Sequence, residues 1–218
     1  AVACVIQRLI SKTYLKERVD RTAYTGGRLL EWRSTSGNAI CPPIWLDIER
    51  TGGSHTRGIR RAMDIAGKTA VVFGGTSGIG LSTVERLAAG GARVIAVSRN
   101  PDKAKGLVPE GVELAACDTT DADQVSALCA SIAPIDLLIN CATGGKRAAG
   151  PFMQMDIEGY QGSFAKLWGY TNTVRFGGEH LASDASIVLV TGSPAQRAKP
   201  GQTALASVGG AVEAFVRA

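Results

Sequence analysis

The feature that most constrains this chain is a glycine cluster, Phe73-Gly74-Gly75-Thr76-Ser77-Gly78-Ile79-Gly80, set between two segments of different periodicity. Before it, residues 69–74 (TAVVFG) form a continuous apolar run, the mark of a strand buried on both faces. After it, LSTVERLAAGG carries helical spacing. A chain leaving a buried strand and entering a helix at once needs a sharp turn, and glycine makes such turns without steric cost. Gly74 is expected to turn the chain, Gly78 to let a pyrophosphate approach the backbone, and Gly80 to let the helix pack close to the sheet. The phosphates of a dinucleotide would then rest on free N–H groups at the helix N-terminus. Gly74, Thr76, Ser77, Gly78, Ile79 and Gly80 are therefore the candidate phosphate-binding residues.

The pattern then repeats. Further apolar runs without strict alternation stand at 93–98, 112–117, 136–140 and 186–192, with helix-like segments at 79–90, 121–132, 160–182 and 203–218. Strands alternating with helices predict an α/β fold with a doubly wound parallel sheet, and right-handed crossovers leave few topologies open. This organisation begins near Met63, so residues 63–218 read as one nucleotide-binding domain.

Residues 1–62 are different. They hold 11 Lys and Arg against 5 Asp and Glu, a charge of +6, while residues 63–218 carry −1, so the chain's net charge of +5 comes from this segment. They read as a basic extension, poorly structured or with one short helix on Val2, Val5, Ile6, Leu9 and Ile10. A transit peptide, a partner-binding arm, and sequence lying upstream of a natural start at Met63 all remain open readings. The larger part has no basic footprint for nucleic acid. No apolar run reaches the ~18 residues of a membrane span. Five cysteines without CxxC pairing and two histidines argue against a disulfide framework or a metal site, and a reducing cytoplasmic setting fits best.

The second strand run ends in Val97-Ser98-Arg99-Asn100, about 20 residues past the glycines. A site for NAD(H) normally carries an acid there, for the ribose 2′-hydroxyl. Ser98 and Arg99 instead offer a hydroxyl and a guanidinium suited to a 2′-phosphate, so NADP(H) is preferred and NAD(H) is the second choice.

With these residues in view, the stretch from about 66 to 218 resembles the short-chain dehydrogenases/reductases. GGTSGIG is similar to the family's TGxxxGxG loop, with Phe73 where Thr is usual. CDTTD is similar to the segment after the third strand, so Asp118 takes the place of the residue that contacts the adenine amine. INCATG stands for the NNAG motif and keeps Asn140 and Ala142, which the resemblance adds to the cofactor-binding set. SIVLVTGS matches the fifth strand. The resemblance implies a Rossmann fold and hydride transfer between a nicotinamide and a small carbonyl or alcohol substrate. A homo-oligomer built on the long helix is implied as well.

The resemblance also marks what differs. Where the family carries a catalytic Tyr and a Lys four residues later, this chain has Leu205 and Gly209. The Ser position holds Gly192 and the Asn position holds Lys166. The catalytic residues are thus unassigned, and the expected activity is of a non-standard kind or absent, which leaves a non-catalytic cofactor-binding protein as the alternative. Lys166 could donate a proton if burial lowered its pKa, but its plain reading is a solvated or salt-bridged lysine. Gly144-Gly145-Lys146-Arg147 reads as a solvated loop at the carboxyl edge, and Phe164, Trp168 and Val174 as packing positions. The family's domain needs roughly 250 residues. Its last strands are therefore expected to be missing here, and the chain reads as a fragment.

Overall fold

The computed structural model describes residues 65–145 and 147–218. The basic extension 1–62, its short helix, the Met63 boundary and Lys146 lie outside the described residues.

Five parallel strands among the described residues form one sheet: β1 Thr69–Phe73, β2 Arg93–Ser98, β3 Glu113–Ala116, β4 Ile135–Asn140 and β5 Leu181–Leu189. Their order is β3-β2-β1-β4-β5, and every pairing is parallel. The order reverses between β2–β1 and β1–β4, which creates the crevice at the carboxyl ends where such sheets bind ligands. The expected doubly wound parallel sheet is what the chain adopts. Among the described residues five α-helices connect and cover the strands: α1 Gly78–Ala89, α2 Ala122–Ile132, α3 Ile157–Gly162, α4 Ala165–Gly177 and α5 Thr203–Arg217.

Strand alternation divides the core between the two faces. Val71, Phe73, Ile95, Val97, Ile135, Leu138, Ile187 and Leu189 join Val125, Cys129, Tyr170 and Val212 from α2, α4 and α5. Their strand neighbours Ala70, Val72, Val94, Ala96, Leu137 and Ile139 pack on Val84 and Leu87 of α1. Each fully buried side chain of this size contributes roughly 1.5–3 kcal/mol, so the central strands anchor the fold.

Two expectations are corrected. The helix expected over 160–182 is two helices and a 3-10 turn at Gly178–His180. Ser163 Oγ donates to the Gly159 carbonyl at 2.8 Å and accepts the Ala148 N–H at 2.9 Å. Phe164 N–H steps back only three residues, to Gln161 O at 3.0 Å. That local bonding interrupts the i to i−4 ladder. Gly177 and Gly178, poor helix formers, close α4. The fifth strand starts at Leu181 rather than 186. From Ile135↔Leu181 to Leu137↔Ser186, β4 advances two residues while β5 advances five. The exposed Ser183 and Asp184 of that irregularity carry no apolar signal.

Candidate functional site

The sheet's carboxyl edge opens into a cleft of about 280 Å³. Seven of the eleven residues expected to bind cofactor line it: Gly74, Thr76, Ser77, Ser98, Arg99, Asp118 and Ala142. They come from the β1–α1 turn, the ends of β2 and β3, and the loop after β4.

The turn is built as its glycines require. Gly74 has φ +75°, a left-handed conformation, and a Cβ there would lie 2.7 Å from Ala142 N. Its N–H donates to Val97 O at 2.7 Å, which ties the turn to β2. At Gly80 a Cβ would run into the carbonyl oxygen of Gly74 and stand 2.7 Å from its carbonyl carbon. The first turn of α1 can therefore touch the strand exit only without a side chain at that position. Gly78 and Ile79 open the helix on its exposed side, and nothing lies within 4 Å of a Cβ on Gly78. Neither lines the cleft wall. Ser77 makes no side-chain cap, and no acid stands in the first turn. The helix start therefore presents uncapped N–H groups and the positive end of its dipole.

On the neighbouring wall, Ser98 Oγ is buried without a hydrogen-bond partner. Such an orphan costs on the order of 1–3 kcal/mol and points to a ligand or a function. Arg99 is exposed and pairs with no carboxylate among the described residues. Asp118 accepts from Thr120 N–H at 2.9 Å and Thr120 Oγ at 2.8 Å, a local turn that fixes its side chain at the far end of the cleft.

Asn140 does not line the cleft. It is fully buried, donating to Thr173 Oγ1 at 3.0 Å and accepting from Ala142 N–H at 2.9 Å. It thereby fastens α4 to the loop after β4, and what it contributes to the site is position. The expected cofactor-binding set left out Thr119, Thr120, Thr143, Gly144 and Ala165, which also line the wall. All but Ala165 follow a strand end directly, so the carboxyl-edge rule could have nominated them.

The reaction end is built differently. Leu205 and Gly209 lie on α5, and a Cβ on Gly209 would come within 2.8 Å of Ala195 Cβ and 2.9 Å of Thr191 Oγ1. Thr191 itself is 4% exposed, and its hydroxyl is unpartnered. Gly192 is exposed. Tyr170 is fully buried and donates to Val190 O at 2.6 Å, and burial pushes its phenol pKa above the usual range. The plain reading of Lys166 is corrected. It is half-buried, it has no carboxylate partner among the described residues, and its Nζ lies 5.2 Å from the Tyr170 ring centroid. Trp168, expected to pack, is 63% exposed. Val174 does pack on the core, and Phe164 meets Tyr160 edge to face at 5.5 Å.

Comparison with known proteins bears on this arrangement. A family profile described as short chain dehydrogenase matches residues 68–218. An L-xylulose reductase from Mesocricetus auratus is 32% identical over 161 residues, covering 71% of this chain and 65% of that protein. An NADPH-bound short-chain oxidoreductase from Pseudomonas aeruginosa with an atypical catalytic centre is 28% identical, with a TM-score of 0.63 over 69% of this chain and 63% of that one. An NADP complex of a short-chain dehydrogenase from Burkholderia cenocepacia gives 27% identity and 0.63 over 70% and 65%. The chain thus spans about two thirds of the length of these relatives. The five-stranded parallel order, the glycine turn and a match over most of the chain identify it as a member of the short-chain dehydrogenase family.

Proposed function

We propose that this chain binds NADP(H) across the carboxyl edge of its sheet and works as an oxidoreductase on a small carbonyl or alcohol. The observation that carries the reading is the cleft wall itself, with an uncapped helix start, an orphaned Ser98 hydroxyl and an unpaired Arg99 along one continuous surface. Each is a group that an anionic ligand would satisfy.

On this reading the amides from Thr76 to Gly80 hold the pyrophosphate, and Gly74 and Gly78 keep side chains out of its way. Ser98 and Arg99 hold the 2′-phosphate, Asp118 meets the adenine end, and Ala142 with Thr143 borders the path toward the nicotinamide. No carboxylate among Ser98, Arg99 and Asn100 competes for a ribose 2′-hydroxyl, so NAD(H) is the weaker ligand. When bound, the cofactor supplies the hydride. The NADP- and NADPH-bound relatives support the same preference. The charge of residues 63–218 and the absence of a membrane-length apolar helix among the described residues favour a small molecule as partner. Burial pushes the Cys117 thiol up to about 12 and that of Cys129 to about 11, so both act as small apolar core residues; a reducing cytoplasmic setting is part of the proposal on the sequence's cysteine pattern.

A second reading, a cofactor-binding protein without turnover, is favoured by one observation. The tight packing of Gly209 on Thr191 and Ala195 leaves no room for the family's lysine.

Fluorescence titration of NADPH and NADH into the full chain and its Arg99→Asp variant tests the cofactor assignment. Saturable binding that favours NADPH is expected, with Arg99→Asp weakening NADPH by about 10–100-fold, the worth of a charge-assisted contact. NADH should change little. No saturable binding of either cofactor refutes the reading. Steady NADPH oxidation with L-xylulose separates the enzyme from the silent binder.

A further inference from the structure

Beside the reaction end of the cleft stands a titratable group with no carboxylate partner among the described residues. Lys166 occupies the first turn of α4, next to the cleft-lining Ala165, and its backbone N lies 2.7 Å from where a Cβ on Gly144 would be. Its ammonium sits over the ring of Tyr170 at 5.2 Å, and Tyr170 is anchored by its hydroxyl to Val190 at the end of β5. Cys141, at the end of β4, and Arg147, in the loop beyond, are the other titratable groups that act on it. The cation is therefore held over the Tyr170 ring, within electrostatic reach of Cys141 and Arg147. A cation in the first turn of a helix opposes the helix dipole, and a half-buried lysine without a carboxylate partner is costly. Both costs fall on the residue directly after the cleft-lining Ala165.

We propose that Lys166 is the proton donor to the substrate oxygen in this chain, in place of the tyrosine that position 205 lacks. This rests on the NADP(H) reading above. In the reducing direction the carbonyl carbon takes the hydride and the C=O π pair moves onto oxygen. Lys166 Nζ gives one proton to that oxygen, so a C–H and an O–H bond form and a neutral amine remains. Water at the cleft mouth reprotonates it. Burial first, and Arg147 second, lower Lys166 to about 8, with Cys141 acting the other way. The Cys141 thiol is itself pushed up to about 11 by burial, so it stays neutral beside the amine. A donor near neutrality suits general-acid catalysis. The acid form is lost as pH rises through about 8, so reduction should fall on that side.

The test uses the full chain and two readouts. Competitive labelling with 1-fluoro-2,4-dinitrobenzene across pH 6–11, read by mass spectrometry, gives the titration midpoint of Lys166 without any turnover. NADPH binding and NADPH oxidation with L-xylulose, 2,3-butanedione and benzaldehyde are then compared for wild type, Lys166→Gln and Lys166→Arg. The expected results are a midpoint near 8 and NADPH affinity within about 2-fold in both variants. Turnover should fall about 10²–10⁴-fold in Lys166→Gln, and Lys166→Arg, whose guanidinium keeps its proton, should fail to restore it. A midpoint above 10, or Lys166→Gln turning over within about 3-fold of wild type, overturns the proposal. Wild type that binds NADPH but reduces none of the three carbonyls overturns it too and leaves the cofactor reading standing. Failure of wild type to bind NADPH overturns both.

Discussion

The β1–α1 side of the cleft and the β5–α5 side obey different rules. On the first, function is carried by backbone geometry. Gly74 at φ +75° and Gly80 against the Gly74 carbonyl can be nothing but glycine without moving the strand exit. On the second, the family resemblance leads one to expect side-chain chemistry, and on our reading those side chains are replaced. On that reading Gly209 takes the lysine position and Leu205 the tyrosine position, and the half-buried cation without a carboxylate partner among the described residues is Lys166 on the neighbouring helix. A backbone-encoded turn resists change because substitution at Gly74 or Gly80 also disturbs the fold. A side-chain-encoded reaction centre can be dismantled or rebuilt while the sheet beneath it stays intact.

Gly80→Ala gives the sharpest way to break this contrast. Its added methyl has no space at all, so a loss of about 3 kcal/mol in stability is expected, the upper part of the range for overpacking. NADPH binding should vanish with it. Denaturant unfolding together with NADPH titration reads both. A stable variant that still binds the cofactor would mean that the turn is less constrained than its geometry implies. Next in size is the reverse experiment, grafting the family's residues back as Leu205→Tyr with Gly209→Lys. Ala195 and Thr191 crowd position 209, so the graft should cost about 2 kcal/mol and raise NADPH-dependent carbonyl reduction by less than about 2-fold. Restored turnover at unchanged stability would show that the reaction end was merely mutated, with its surroundings still in the family's arrangement.

What the sequence made legible follows the same division. The five strands and the glycine turn were readable because buried parallel strands are continuous apolar runs and because the turn combines a strand, glycines and a helix in fixed order. Asp118 was placed by resemblance and does face the cleft. Asn140 was placed in the same way, but its side chain is consumed in holding α4 to the β4 loop. The break between α3 and α4 was invisible, since it depends on Ser163 choosing backbone partners over solvent. The early start of β5 was hidden because Ser183 and Asp184 interrupt its apolar pattern. The state of Lys166 was beyond the sequence for a similar reason. Whether a lysine is solvated or enclosed depends on residues such as Tyr170, Cys141 and Arg147 that tertiary structure brings to it.

Hydrogen exchange of the full chain, with and without saturating NADPH, tests the division most directly. The account predicts slowed exchange at the amides from Thr76 to Gly80, which lack intrahelical acceptors, and in the loop from Ala142 to Gly145. The middle of α2, remote from the cleft, should be unchanged. Protection absent from the β1–α1 turn while NADPH is bound would contradict the account, because the cofactor would then occupy some other surface.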